Sequence, residues 1–175
     1  MNLPNALSLF RLVLTIFFIL LITYDRFRAA LAIFVLQAVS DMLDGYFART
    51  MGQKTALGAY LDPLADKVML AASYLVLCFK GIVPVWLVGA VIARDLIIAL
   101  GFLFLSLLSL RTGPSPTYIS KATTAFQMLT IVYVLWSQTR GYDVFFYYAT
   151  AVLTVLSGLQ YIMVGVGALI RKETV

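Results

Sequence analysis

Long apolar runs with almost no charge dominate this sequence and restrict what the chain can fold into. The first run, ALSLFRLVLTIFFILLITY, covers residues 6–24 and contains one charged residue, Arg11. An α-helix needs roughly 20 such residues to cross a lipid bilayer. Of the 175 residues, 62% are hydrophobic, whereas soluble domains contain about 45–50% apolar residues. The sequence therefore predicts an all-α integral membrane protein.

Short polar or Gly/Pro-containing segments, such as KGIVP and RTGPSPT, divide the chain into six apolar runs. We expect six transmembrane helices in one bundle, forming a single membrane domain over residues 1–175 with no room for a separate soluble domain. The first run is expected to be a retained span, because no basic segment precedes it as in a signal peptide. The expected helices cover residues 6–24, 29–49, 56–79, 83–109, 118–137 and 144–170.

The charged and sulfur-containing residues exclude several classes of site. The net charge is +5, but the basic residues are scattered at segment ends, where anionic lipid headgroups rather than nucleic acid are the expected partner. They are divided almost evenly between the two sides, so charge alone does not set the orientation. The chain has no histidine and one cysteine, Cys78, which excludes imidazole ligands and an intrachain disulfide.

Four aspartates interrupt the second and third runs: Asp41, Asp44, Asp62 and Asp66. If these runs form an antiparallel hairpin about Gln53, Asp44 and Asp62 lie at matching depth, nine residues on either side of the turn. Asp41 and Asp66 form a second layer about one helical turn deeper. Spacings of three and four place each pair on one face of its helix. All four carboxylates are therefore expected to converge.

Like charges at close range in a low dielectric repel and require a counter-charge, which divalent cations can supply. Ligation by carboxylates alone favours magnesium, manganese or calcium over zinc. Two ions held by shared aspartates would form the kind of site used for phosphoryl displacement. The small residues Gly45, Ala48 and Gly58 would let a ligand approach the helices, and Arg49 can bind a phosphate through two hydrogen bonds.

The pattern D-x2-D-G-x2-A-R-x8-G-x3-D-x3-D, which runs from Asp41 to Asp66 without a departure, resembles the motif of the CDP-alcohol phosphotransferase family. The six-run pattern agrees with that family over nearly the whole chain. The resemblance implies a membrane homodimer of six-helix protomers. It also implies an enzyme that transfers a phosphatidyl group from CDP-diacylglycerol to an alcohol, releases CMP and serves phospholipid biosynthesis.

The resemblance also implies roles for individual residues. The four aspartates would hold two divalent cations, Mg²⁺ or Mn²⁺, and Asp66 would also be the general base for the acceptor hydroxyl. The opening PNALSLFR is similar to the family's N-terminal signature, which suggests that Asn5 and Ser8 border the nucleotide pocket. The residues implied to bind the CDP part are Asn5, Ser8, Asp44, Gly45, Ala48, Arg49 and Gly58.

A second polar group, Arg94, Asp95 and Lys121, bears on the acceptor. Arg94 and Lys121 would attract an acceptor that carries phosphate, with Asp95 orienting Arg94. The segment PTYISKATTAFQ resembles cardiolipin synthases, whereas ARDLIIALGF lacks the glutamate and second arginine common in phosphatidylglycerophosphate synthases. We therefore expect phosphatidylglycerol as acceptor, with glycerol 3-phosphate as the alternative. The three residues could instead form an ion-pair cluster that fixes helix packing.

Other classes of function remain open on the sequence alone. A small cation transporter would also place aspartates in a helix bundle, and a non-catalytic scaffold would need none of these residues. The aspartates could be polar helix ends solvated by headgroups, and Arg11 could extend its side chain to the membrane surface. The expected location is the inner membrane of a bacterium, with the active site facing the cytoplasm.

Overall fold

The fold is all-helical. A computed structural model describes the backbone of residues 3–50, 56–107, 117–137 and 144–173, and the side chains of residues 9–41, 65–101, 103–104, 117–137 and 144–167. Within these ranges the chain forms six α-helices and no strand, which confirms the predicted class. The helices are α1 (Leu3–Thr23), α2 (Phe27–Thr50), α3 (Ala56–Phe79), α4 (Val85–Leu107), α5 (Tyr118–Ser137) and α6 (Val144–Glu173).

Each helix coincides with one of the six predicted runs. Helices α3 and α5 have the predicted bounds, whereas α1 begins at Leu3 instead of residue 6. Pro4 is compatible with this earlier start, because the first turn of a helix does not use the backbone N–H that proline lacks.

The helices divide into two compact units. The first unit comprises Met1–Val83 and Ile131–Gly141, and the second comprises Pro84–Thr130 and Tyr142–Val175. In the first unit α1 packs against both α2 and α3, and in the second α4 packs against α6. A single bundle of six helices stays a prediction.

In the first unit, α1 buries one stripe of side chains. Arg11, Leu14, Phe18 and Ile22 follow one another at intervals of three or four residues, and all are buried. This spacing places them on one face of the helix. Phe18 packs against Phe34 of α2 with ring centroids 5.8 Å apart. The buried residues of α1 are therefore apolar except near Arg11, where Thr15 is also buried.

The C-terminal ends of α1 and α3 are joined by a lysine. Each helix is followed, two residues beyond its last residue, by a residue in the left-handed region, Asp25 (φ 58°) and Gly81 (φ 69°). In each case the next amide bonds to the carbonyl five residues earlier, as in a Schellman motif. Lys80 Nζ donates to Asp25 Oδ1 and to the carbonyl of Thr23, both at 2.8 Å. The two helix ends therefore lie side by side.

In the second unit, buried hydroxyl and amide groups join α5 to α6. Gln127 Nε2 donates to Thr154 Oγ1 at 3.2 Å, and the hydroxyls of Thr130 and Thr150 lie 2.6 Å apart. All four residues are buried. Because buried polar groups are costly without a partner, these bonds fix which residues of the two helices face each other.

Within the described residues, one helical segment is long and apolar enough to cross a membrane, as judged by length and composition. It is Val144–Gly167 of α6, with a mean hydropathy of 1.7. Leu9–Thr23 of α1 is a shorter apolar helix. Six membrane-spanning helices stay a prediction.

Candidate active site

Arg11 joins the acidic residues of α2 and α3. Its Nη1 atom lies 3.0 Å from Asp41 Oδ1 and also donates to Asp66 Oδ1. The arginine side chain is fully buried, whereas the side chains of Asp41 and Asp66 are 34% and 31% exposed. The Nη1 atom of Arg11 therefore contacts one carboxylate from α2 and one from α3, and both carboxylates stay partly exposed.

Buried polar groups hold the backbone of α1 at this point. Gln37 Nε2 donates to the carbonyl of Arg11 and to Thr15 Oγ1, both at 2.9 Å. Thr15 Oγ1 in turn donates to the same carbonyl at 2.9 Å. Gln37 lies one turn before Asp41 on α2, and α-helical residues four apart share a face. The contacts of Gln37 thus place Arg11 opposite Asp41.

The other residues predicted to bind the cations or the CDP part lie outside the described side chains. Their backbones belong to helices, and by helical spacing Asp44 follows Asp41 by about one turn and Asp62 precedes Asp66 by about one turn. Among the side chains that are described, no group of three or more His, Cys, Asp or Glu residues could hold a metal ion. The four-aspartate site therefore stays a prediction, as do the roles of Asn5, Ser8, Gly45, Ala48, Arg49 and Gly58.

The two described carboxylates suit a divalent cation. Asp41 and Asp66 present oxygen donors, which magnesium, manganese and calcium prefer. Their Oδ1 atoms already meet at one positively charged group, Arg11, so the fold brings them close enough for a shared cation. Their accessible fraction leaves a path for a ligand.

The second polar group predicted from sequence is divided between a buried cluster and an exposed residue. Arg94 is 3% exposed, and its Nη1 atom lies 2.7 Å from Asp95 Oδ1. Its Nε and Nη2 atoms donate to Ser157 Oγ of α6 at 3.2 and 3.0 Å, and Nη2 also donates to Ser120 Oγ of α5. Lys121, the next residue on α5, is exposed. Arg94 therefore joins three helices, as expected of a packing role.

Sequence reasoning missed the part that Arg11 and Gln37 play. The sequence allows the side chain of Arg11 to extend to the membrane surface, but in the structure it is completely buried. Its spacing to Thr15, one turn further along α1, is a usable signal, but the rest of α1 is apolar and gives little contrast between its faces. Gln37, one turn from Asp41, was a second polar signal in an apolar run.

Similarity to known proteins shows the family to which the chain belongs. A family model described as CDP-alcohol phosphatidyltransferase matches residues 1–157. The chain belongs to the CDP-alcohol phosphatidyltransferase family. It is therefore an enzyme, which confirms the resemblance drawn from the motif and rejects the transporter and scaffold alternatives. Members of this family are membrane-bound and generally use divalent metals.

Individual relatives in this family are similar along most of the chain. The CDP-diacylglycerol–glycerol-3-phosphate 3-phosphatidyltransferase of Escherichia coli (strain K12) is 37% identical over 173 residues, covering 92% of this chain and 93% of the relative. The protein of the same name from Shigella flexneri serotype 5b (strain 8401) is 36% identical over 171 residues, with the same coverage. That from Shigella sonnei (strain Ss046) is 37% identical over 173 residues, again with the same coverage.

Proposed function

We propose that this protein transfers the phosphatidyl group of CDP-diacylglycerol to glycerol 3-phosphate, forming phosphatidylglycerophosphate and releasing CMP. Membership of the CDP-alcohol phosphatidyltransferase family supports the phosphatidyl transfer. The geometric observation that supports it best is the meeting of Asp41 and Asp66 at one nitrogen of Arg11. Two accessible carboxylates on neighbouring helices supply part of the ligand set for cations that would bind a diphosphate.

The relatives favour glycerol 3-phosphate over phosphatidylglycerol, the acceptor that the sequence alone predicts. Their names include glycerol 3-phosphate, and they cover 92% of the chain. The preference for phosphatidylglycerol rests on the departures in ARDLIIALGF and on the segment PTYISKATTAFQ. Within PTYISKATTAFQ, Ser120 accepts a hydrogen bond from Arg94. Part of that segment therefore serves helix packing, and its similarity to cardiolipin synthases is weak support for their acceptor.

The proposed chemistry assigns the aspartates two tasks. Asp41, Asp44, Asp62 and Asp66 hold two divalent cations, Mg²⁺ or Mn²⁺. When bound, these cations neutralise the donor diphosphate and the charge that develops on departing CMP. Asp66 accepts the proton of the acceptor hydroxyl. In the same step, the hydroxyl oxygen of the acceptor bonds to the lipid-linked phosphorus while the bond from that phosphorus to CMP breaks.

Other side chains are proposed to bind and orient the two substrates. The CDP part is bound by Asn5, Ser8, Asp44, Gly45, Ala48, Arg49 and Gly58. Arg94 and Lys121 are proposed to attract the phosphate of the acceptor through their positive charges. The burial of Arg94 among serines supports a fixed orientation, and the exposure of Lys121 leaves its ammonium group accessible.

The proposed setting is the inner membrane of a bacterium, with the site facing the cytoplasm and two copies forming a homodimer. A membrane location fits a donor with two acyl chains. The apolar segment Val144–Gly167 and the exposed apolar face of α1, including Ile16 and Phe17, fit contact with lipid.

The test is acceptor competition with the purified, detergent-solubilised protein. Labelled CDP-diacylglycerol is supplied with Mg²⁺ or Mn²⁺ and with glycerol 3-phosphate, phosphatidylglycerol or inositol phosphate, and the lipid product and CMP are quantified. We expect phosphatidylglycerophosphate, no product after EDTA treatment, and recovery when the cation is returned. Cardiolipin formation with phosphatidylglycerol as the preferred acceptor would contradict the proposed substrate.

A further inference from the structure

A permanent positive charge lies where the proposed function requires divalent cations. A guanidinium keeps its proton at any physiological pH. Arg11 is fully buried, and its Nη1 atom binds Asp41 and Asp66, one from each neighbouring helix. Two carboxylates brought this close repel each other unless a positive charge lies between them. Arg11 supplies that charge from the protein itself.

The position of Arg11 is built into the fold. Its carbonyl accepts hydrogen bonds from Gln37 and Thr15, so the backbone is held at this point of α1. The buried residues that follow on the same stripe, Leu14 and Phe18, pack α1 into its unit. The charge is therefore supported by packing on α1 and by a hydrogen bond from α2.

We propose that Arg11 is a positioning residue that acts as an internal counter-ion for Asp41 and Asp66 and competes with divalent cations for their carboxylates. This inference rests on the proposed function, which gives these aspartates to the cations. Arg11 contacts the Oδ1 atom of each carboxylate, and each carboxylate has a second oxygen that can also accept. A bound cation therefore either takes the Oδ1 atoms from Arg11 or binds the same carboxylates close to its positive charge, and in both cases Arg11 opposes it.

Two consequences follow from this competition. At low cation concentration, Arg11 keeps the acidic faces of α2 and α3 together. At higher concentration, its positive charge opposes cation binding, so Arg11 weakens the affinity of the site. Removing the charge should make the protein depend on cations for its stability and should make those cations bind more tightly.

The decisive variant is Arg11→Met, which removes the charge and retains most of the apolar volume. The measurements are Mn²⁺ affinity, by electron paramagnetic resonance of free Mn²⁺, and the thermal midpoint with and without EDTA. We expect Arg11→Met to bind Mn²⁺ about tenfold more tightly than the natural protein, since a nearby unit charge has been removed. Its thermal midpoint should fall in EDTA and recover most of the loss when Mn²⁺ is added.

The matched control is Arg94→Met, the same change at another buried arginine, whose contacts include Ser120 and Ser157. It should lose thermal stability that Mn²⁺ does not restore, and its Mn²⁺ affinity should equal that of the natural protein. Arg11→Lys retains a positive charge on a shorter, less directional side chain. We expect its Mn²⁺ affinity and stability to lie between those of the natural protein and Arg11→Met.

Each outcome bears on the inference. Arg11→Met that binds Mn²⁺ no more tightly than the natural protein would leave Arg11 as a structural ion pair and overturn the competition. Failure of Arg11→Met to fold even in saturating Mn²⁺ would overturn it as well, because the cation should substitute for the lost charge. A natural protein that binds no Mn²⁺ would overturn the proposed cation site itself, a result distinct from unchanged affinity in the variant.

Discussion

Among the described side chains two arginines are buried, one in each unit, and they are paired in different ways. Arg11 binds one carboxylate from α2 and one from α3. Arg94 binds the carboxylate of its own neighbour in the sequence, Asp95, and reaches other helices through the hydroxyls of Ser120 and Ser157. Charge compensation thus crosses between helices at Arg11 but stays within one helix at Arg94.

This difference separates a site that responds to ions from one that fixes packing. The contacts of Arg94 with other helices are hydrogen bonds to the neutral hydroxyls of serines. An added cation is attracted much less to a neutral hydroxyl than to a carboxylate. The contacts of Arg11 with other helices are ion pairs, and their carboxylate partners are about one third exposed. A dissolved cation can therefore compete for the carboxylate partners of Arg11 and leave the bonds of Arg94 to Ser120 and Ser157 unchanged.

The largest expected effect comes from Asp66→Asn. The amide keeps the shape of the side chain but cannot accept the acceptor's proton, so CMP release should fall by about 10²- to 10⁴-fold. Binding of CDP-diacylglycerol, measured by equilibrium binding of the labelled donor, should be largely preserved. The control is Asp25→Asn, the same change at an ion-paired aspartate on the surface. Near-normal turnover by Asp66→Asn would remove the residue from the role of base.

The next largest effect is on stability in Arg94→Met. This change removes the hydrogen bonds between α4 and the serines of α5 and α6 and leaves Asp95 without its cationic neighbour. We expect a loss of about 3 kcal/mol in the free energy of unfolding, as for other broken buried pairs. Denaturant unfolding of the solubilised protein, followed by circular dichroism, measures it. A loss below about 0.5 kcal/mol would show that the hydroxyl contacts contribute little to packing.

A smaller effect is expected from Gln37→Leu, with Gln127→Leu as its counterpart in the other unit. Each change removes hydrogen bonds of a buried amide, so each should cost about 1 kcal/mol of unfolding free energy. Of these two glutamines, Gln37 donates to the carbonyl of Arg11 and Gln127 bonds to Thr154. Titration with Mn²⁺ should therefore show tighter binding, by about two- to threefold, in Gln37→Leu alone, since a less fixed Arg11 competes less well. Equal Mn²⁺ affinities in the two variants would break the contrast between the regions.

The smallest effect is expected from Lys80→Met, which removes an exposed ion pair and one bond to the end of α1. Lys80 and Asp25 are 28% and 66% exposed, so solvent screens most of their attraction. The loss in unfolding free energy should be about 0.5 kcal/mol and should shrink as salt is raised. A loss as large as that of Arg94→Met would mean that burial is not what separates strong from weak charge contacts here.

Much of the fold could be predicted because the helices are marked by apolar runs and turn residues. The left-handed positions at Asp25 and Gly81 lie in the predicted connections. Counting residues from the expected turn also placed Asp41 and Asp66 at one depth, and the structure brings both to the same atom of Arg11. Helical geometry fixes such distances along the chain without any knowledge of packing.

What the sequence could not supply is the direction in which polar residues face. Because α1 is apolar around most of its circumference, its buried and exposed faces contrast only weakly, and the inward position of Arg11 is not predicted. The same ambiguity left two interpretations of Arg94, acceptor binding and packing. Its hydrogen bonds to α5 and α6 give it a packing role, beside which acceptor binding stays a proposal, and these contacts exist only after three helices have come together.

The burial of Arg11 also has a consequence for biogenesis. If α1 spans the bilayer as predicted and enters it ahead of the rest of the chain, its arginine has no carboxylate partner, and an unpaired arginine near the centre of a helix costs about 2.5–3.5 kcal/mol during translocon-mediated insertion. The carboxylate partners arrive only with α2 and α3, and their aspartates are equally costly to insert without a positive partner. The first three helices are therefore expected to leave the translocon as a group, each cancelling the insertion penalty of another.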